Sequence, residues 1–548
     1  MTRLALTLLL CLEGAIATSS IAGEKLGPAS TQPLLMPGLG DVHHPISTKN
    51  RLAQRFFDQG LKLVYGFNHD EARRSFQRAA NLDPNLAMAW WGVALTLGPN
   101  YNLPVDVERE KAGYDAVQRA MALKGNASEP ERAYIDALAA RYSNDPKADL
   151  HALDVAYKDA MSKLAARYPD DLDATTLYAE SLMNLHPWEL WSADGRPNEG
   201  TEEIVSLLES VLKRDPNHLG ANHYYIHAVE ASPHPERALP SAARLEKLAP
   251  AAGHLVHMPA HIYARVGDHP AAAHCNELAA AADKKFLAQT HEQGVYPLMY
   301  YSHNLHFLAF AACMDGNFSE AKNAAVRLVA NAAPGVKSMP DAEGFLPTPM
   351  IVLLAFDRWS DILNSPAPDS SLLITNAVWH AVRGVAFANT GKTSEAEKEQ
   401  QAFREVAGKI PHDTMYDQLN KTEAVFKVHE NLLAAMIAHS GRDDKAAIDL
   451  LNRAVAAEDA LHYSEPPAWY PPVRPMLGRL LLTTNQLTEA EKVFRDDLKR
   501  NPRDARALSG LRDCLNAQGR QYEADQIDQQ FRSVWKFASA EAASSSRR

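Results

Sequence analysis

Four histidines repeat at one spacing. His223 and His257 stand 34 residues apart, and so do His227 and His261. Each pair is four residues wide, His223 with His227 and His257 with His261, so on a helix both rings of a pair project from one face. An imidazole nitrogen is a good ligand for zinc, copper or iron, and two rings at i and i+4 can grip one ion. Twelve of the 22 histidines fall between His218 and His306, several times their even share of the chain. The chemistry this implies is a transition-metal site with His223, His227, His257 and His261 as ligands. Glu180 or Glu230 would serve as a further ligand or as general base to a metal-activated water. Asn222, Tyr224, Tyr225 and Tyr263 are candidates to orient the rings. The spacing HxxxHxxE at His223, His227 and Glu230 lacks the glutamate inside the pair that HExxH zinc proteases use, so that mechanism does not transfer.

The elements that hold these rings follow from the same period. Ala238 and Ala272, and Pro216 and Pro250, are also 34 apart. A repeat of this length points to a helix–turn–helix solenoid. The unit at 53–85 carries Phe56, Gly60, Leu63, Ala72, Phe76, Ala79 and Pro84. This resembles the tetratricopeptide repeat (TPR), in which small residues sit where two short antiparallel helices touch and large ones where they bury against the next pair. The same frame returns from Ala87, with Trp90 and Ala94, and again near Ala377, Lys427, Pro471 and Ala505. Sustained alternating runs that would signal strands are almost lacking. The resemblance implies an all-α, right-handed superhelical solenoid of about ten to twelve helix pairs, with a concave groove for a peptide, protein segment or small ligand.

In the TPR frame, the inward positions of the first helices fall on His223, His227, His254, His257, His261, His303 and His306, with Glu180 and Glu230 on the same face. The resemblance thus implies a ladder of imidazoles along the groove. His254, His303, His306, Tyr224 and Tyr263 are the expected ligand-binding residues beside the metal set, and Cys313 falls on the same face. Pro259 interrupts the ladder, because proline removes a helical hydrogen bond and biases Met258 away from helical angles. Either the helix kinks there or it starts there.

Two insertions break the repeat: residues 186–200, with the aromatic run His186-Pro187-Trp188-Glu189-Leu190-Trp191, and residues 287–301. The first would fold over the groove as a lid or cover exposed helix ends. The proline-dense segment 465–475 reads as a rigid connector.

The rest of the sequence narrows the class. A formal net charge of −11 excludes a generally basic, nucleic-acid-binding surface. Hydrophobic residues at 46% and charged residues at 22% are those of a globular protein. Arg3, the apolar run 4–12 and small residues near 15–23 read as a secretory signal, which implies a periplasmic or secreted protein. No stretch is long and apolar enough to span a membrane. Beyond the signal, Cys275, Cys313 and Cys514 are too few for a disulfide framework. The chain divides into a signal peptide (1–23), a flexible leader (24–50), an N-terminal array with the histidine-rich middle (51–335), a C-terminal array (336–538) and a disordered tail (539–548).

Function is expected to be that of an exported binding or scaffold protein with a divalent transition metal (zinc, copper or iron) among the clustered histidines. The alternative is a metal-dependent hydrolase or oxidoreductase with the His/Glu cluster as active site. A third reading is a pH-responsive groove, since clustered histidines change charge between about pH 5 and 8.

Overall fold

The structure is a computed structural model and describes residues 33–535, so the expected signal and the tail lie outside it. From Arg51 to Val534 the chain is a succession of helices, and no strand forms among the described residues beyond isolated bridges such as Trp191 with Pro197. The helices pair in sequence order. The first two pairs are Arg51–Val64 with His69–Leu82 and Ala87–Leu97 with Val107–Leu123; the last is Ala505–Ala517 with Gln521–Val534. Each pair packs on the next, giving an all-α array of TPR-like units.

The large-and-small pattern read from the sequence explains the stacking. Phe76 is fully buried, and its ring lies where a Cβ on Gly60 or Gly92 would come within 2.6 or 2.4 Å of it. The two glycines come from consecutive units, so one phenylalanine fills the gap between them. Phe494 repeats the arrangement against Gly478 and Gly510. Short side chains cap the helix starts: Asn50, Asn68, Asp106, Asp149 and Asp171 each accept a hydrogen bond from a backbone N–H of the first turn.

The array curls until distant units meet. Tyr65, in the turn of the first pair, packs on Gly220 of helix Leu219–Glu230, and Gly66 lies against Leu255. Further along, Gly267 lies against Pro502, and Arg506 donates to the carbonyls of Cys313 and Ala355. Positions expected to line an open groove are therefore interior ones in the histidine-rich middle. The apolar core falls into two main clusters, one running from Leu39 to Ile262 and the other from Ala260 to Ala524. They meet around Met258, Ala260 and Ile262, in the middle of the histidine run.

Residues 33–50 are pinned and not free. The Met36 N–H donates to Gln59, the Ala251 N–H donates to the Gly38 carbonyl at 3.0 Å, His44 Nδ1 pairs with Asp173 at 2.8 Å, and the Ser47 hydroxyl donates to Glu131. The described part of the expected flexible leader is thus a strap across several units, held because it satisfies polar groups on each.

Candidate metal centre

The site is built on three helical segments. Leu219–Glu230 supplies His223 and His227. The next first helix is split, Gly253–His257 and then Pro259–Arg265, with Met258 between them still at helical angles (φ −51°, ψ −37°). The proline kinks the helix without reversing its direction, so His257 and His261 stay on one face across the break. Tyr301–Asp315 brings His303. Gly253 is required at the start of the split helix, since a Cβ there would lie 1.9 Å from Asp283 Oδ1. Asp283 in turn accepts from Tyr296 and Asn304, which fixes helix Tyr301–Asp315 against helix His269–Thr290.

Six rings converge in two groups, His223, His227 and His254 in one and His257, His261 and His303 in the other. In each group the nitrogens lie within 4.8 Å of one another. The closest approaches are all between Nε2 atoms: 3.2 Å from His254 to His223, 2.7 Å from His257 to His261 and 3.0 Å from His303 to His257. Two nitrogens sharing one zinc-sized ion at a tetrahedral angle stand about 3.3 Å apart, so these closest pairs need open by only a few tenths of an ångström, while the His227 ring, whose Nε2 touches no partner, would have to close in. Five of the six rings are at most 3% exposed.

The other nitrogen of four of these rings is already committed. His223 Nδ1 faces the Tyr65 carbonyl at 2.6 Å. His227 and His261 Nδ1 face the two oxygens of Glu230, at 2.9 and 2.5 Å. His257 Nδ1 faces Asn276 Oδ1 at 2.7 Å, and the Asn276 amide nitrogen donates to the Ala272 carbonyl, which fixes the amide's orientation. Each of these partners only accepts, so each Nδ1 carries the proton and each Nε2 of a neutral ring is a bare lone pair. This is the carboxylate–histidine arrangement that orients metal ligands and raises their basicity. His257 and His261 then face each other lone pair to lone pair at 2.7 Å, which needs a cation or a proton between them. His227 Nε2 has no hydrogen-bond partner at all.

Burial holds His223, His254, His257 and His303 below the ordinary imidazole range, with neighbouring rings adding to the effect. His261 goes the other way: burial works against its charge, but Glu230 outweighs it and raises the ring above its ordinary value. Burial would raise Glu230 too, yet His261 and His227 hold it down at about 2. Glu230 is therefore an ionised carboxylate beneath both groups.

Aromatic side chains from four separate segments wall the cluster. Phe67 stacks over His227 and His254, Tyr101 and Trp188 lie 5.1 and 5.8 Å from His227, and Tyr300 lies 5.1 Å from His254. Trp188 belongs to the insertion at 186–200, which is anchored by the Trp191 indole donating to the Ala228 carbonyl at 2.8 Å. The insertion thus brings Trp188 against His227.

Not all expected residues gather here. His254 and His303, expected as ligand-binding, join the two groups. Tyr224 is buried against His223 and Phe67. Glu180 is remote in its contacts: it pairs with Asn184 and feels Arg141, and burial raises it to about 7. His306 turns instead toward a cavity of about 10 Å³ shared with Thr348, Tyr416, His429, Trp469 and Tyr470. Tyr263 is half-buried at the edge of both cores, near Cys275. Cys313 is buried in the second core. Phe67, Tyr101 and the Tyr65 carbonyl carry no signal in the sequence, because each reaches the site from a unit whose position depends on how far the array curls; Asn276 comes from the neighbouring helix His269–Thr290 and carries no motif of its own.

No model of a known protein family matches the chain, and no curated protein matches it. Among solved structures it is similar to the APC/C hetero-tetramer Cut9–Hcn1 (12% identity, 90% of this chain and 76% of that one, TM-score 0.29). It is similar also to the human IFIT1 dimer with m7Gppp-AAAA (12%, 89% and 91%, TM-score 0.32) and to yeast Tom70 (12%, 91% and 96%, TM-score 0.28). All three TM-scores are below 0.5, and the reading of the fold rests on the chain's own helix pairs.

Proposed function

We propose that this TPR-like protein is a metal-binding protein that carries a transition metal inside its histidine-rich middle. One observation carries the reading: four buried imidazoles have their Nδ1 protons committed to acceptors, which leaves bare Nε2 lone pairs; those of His257 and His261 face each other, that of His223 faces His254, and that of His227 is buried without a partner. Zinc, copper and iron all suit such a donor set. Glu230 acts as the orienting carboxylate beneath the ligands. A hydrolase using Glu180 or Glu230 as base is less well supported, because Glu180 has other partners and both Glu230 oxygens are occupied by ring N–H groups. A peptide or protein partner of the array would meet other surfaces, since this face is interior. Among the described residues no helix is long and apolar enough to cross a membrane. The export reading rests on residues 1–23 and is tested by sequencing the mature N-terminus.

The test is elemental analysis of tag-free protein beside a His223→Ala/His257→Ala double variant. Near-stoichiometric zinc, copper or iron in the parent and its loss in a folded double variant are expected. Metal-free parent protein that also refuses added zinc, copper and iron would defeat the proposal.

A further inference from the structure

The two histidine groups repeat one design. Each takes two imidazoles from an HxxxH pair, the second pair spanning the kink at Pro259, and a third from another segment, His254 in the first group and His303 in the second. Glu230 ties them together, accepting from one ring of each group. The groups also touch directly, with ring centres 5.8 Å apart between His227 and His261 and 5.9 Å between His254 and His257. His227 Nε2, buried and without a partner, is a free donor at this junction.

Resting on the metal-binding reading above, we infer that the cluster is a two-copper centre, one copper(I) ion in each trihistidine group, that binds dioxygen between the ions. The charge balance selects the metal. All six donors are neutral nitrogens, and neither group contains a thiolate or a carboxylate. The charged groups that touch or flank the cluster are Glu230, Glu465 and Arg265; Arg265 donates to the Glu230 carbonyl and lies over Tyr463. Two dications in this interior would face one or two negative charges and one positive one. Two monovalent ions are far less costly to bury. Three nitrogens complete a trigonal copper(I) site and leave room for one further ligand on each ion.

The walls select that ligand. Phe67, Tyr101, Trp188, Tyr300 and Phe307 pack around the rings, which suits a small apolar molecule and excludes a peptide. On binding, each copper(I) gives up one electron and becomes copper(II). Dioxygen takes both electrons and becomes peroxide held between the ions. No proton is needed, and release of dioxygen reverses the transfer.

The experiment loads the full chain with copper(I) without air, removes excess metal, and then admits dioxygen. Expected are about two coppers per chain, one for each histidine group, and uptake of one dioxygen per copper pair. The oxidised protein should show a near-ultraviolet charge-transfer band and little copper(II) paramagnetic resonance, because the two spins couple. His227→Gln and His261→Gln, each checked for native helix content, should each halve the copper and abolish dioxygen uptake. One copper per chain, or two with full uncoupled resonance, overturns the two-ion centre and leaves metal binding standing. Tight zinc or iron with copper refused overturns the copper assignment alone. Two coppers with no dioxygen uptake overturns the ligand. Refusal of all three metals overturns both this inference and the reading beneath it.

Discussion

Glu230 shows how much a single side chain decides. Its two oxygens hold two rings from different helices in one tautomer, so removing its charge loosens both at once. Glu230→Gln keeps the size but replaces one acceptor with a donor that faces a ring N–H. Metal affinity should fall about 10- to 100-fold, the usual cost of losing such a partner, as read by competition with a chromophoric chelator. The same carboxylate sets a pH dependence. It raises His261 above its ordinary value, so a proton competes with the metal at that ring. Apparent affinity should therefore climb with pH above about 6.5 and level off once His261 has lost its proton. In Glu230→Gln the climb should move to lower pH; a profile that does not move would show that Glu230 leaves His261 unperturbed. The sequence made the HxxxH pairs legible and marked Glu230 as chemically relevant. It did not show that Glu230 grips the rings from behind, because that depends on side-chain torsions. Asn276 lies 19 residues from its ring and the Tyr65 carbonyl 158 residues from its own, distances no local pattern spans.

At the level of the helix, glycine and phenylalanine set the spacing. Phe76 touches two units at once, so Phe76→Ala should cost about 3–5 kcal/mol, the range for emptying a buried aromatic site, measured by denaturant unfolding. Gly253→Ala tests a different joint. Its Cβ would strike Asp283, so the start of the split helix must shift; a loss of about 1–3 kcal/mol is expected, together with weaker metal binding because His254 and His257 ride on that segment. Unchanged affinity in a folded Gly253→Ala protein would show that the two ligands do not depend on this contact. The repeats made this large-and-small packing legible from Phe56, Gly60 and Phe76 onward. The kink at Pro259 was foreseen as one of two outcomes, since proline breaks the hydrogen-bond ladder whether or not the chain turns. Of the aromatic residues that wall the site, only Trp188 and Tyr300 were legible, as members of the two insertions, because a connecting segment's destination is fixed by the curl of the whole array.

Across the whole molecule, several imidazoles are buried with a ring nitrogen that has no hydrogen-bond partner. Burial lowers His69, His269 and His429 to about 3, helped by nearby arginines at the first two. The unfolded chain takes up protons at these positions near 6.5 that the folded chain refuses, so their contribution is present above that value. It is lost as pH falls from about 6.5 toward 3, at roughly 1.4 kcal/mol per pH unit for each group. Melting temperature should drop steadily across that window, and His429→Gln should flatten part of the slope. A slope unchanged in a folded His429→Gln protein would show that this ring does not contribute.

The strap at 33–50 has a consequence for how the protein is made. Its partners lie at Gln59, Glu131, Asp173 and Ala251, the last more than 200 residues downstream. A ribosome delivers the strap before any of its anchors, and the final anchor much later. Its nearer partners follow in turn, but Gly38 must wait for Ala251 through the synthesis of five repeat units. The N-terminal half therefore cannot be finished unit by unit as an open solenoid can; it closes in one late step, when the last anchor arrives and the distant contacts form together.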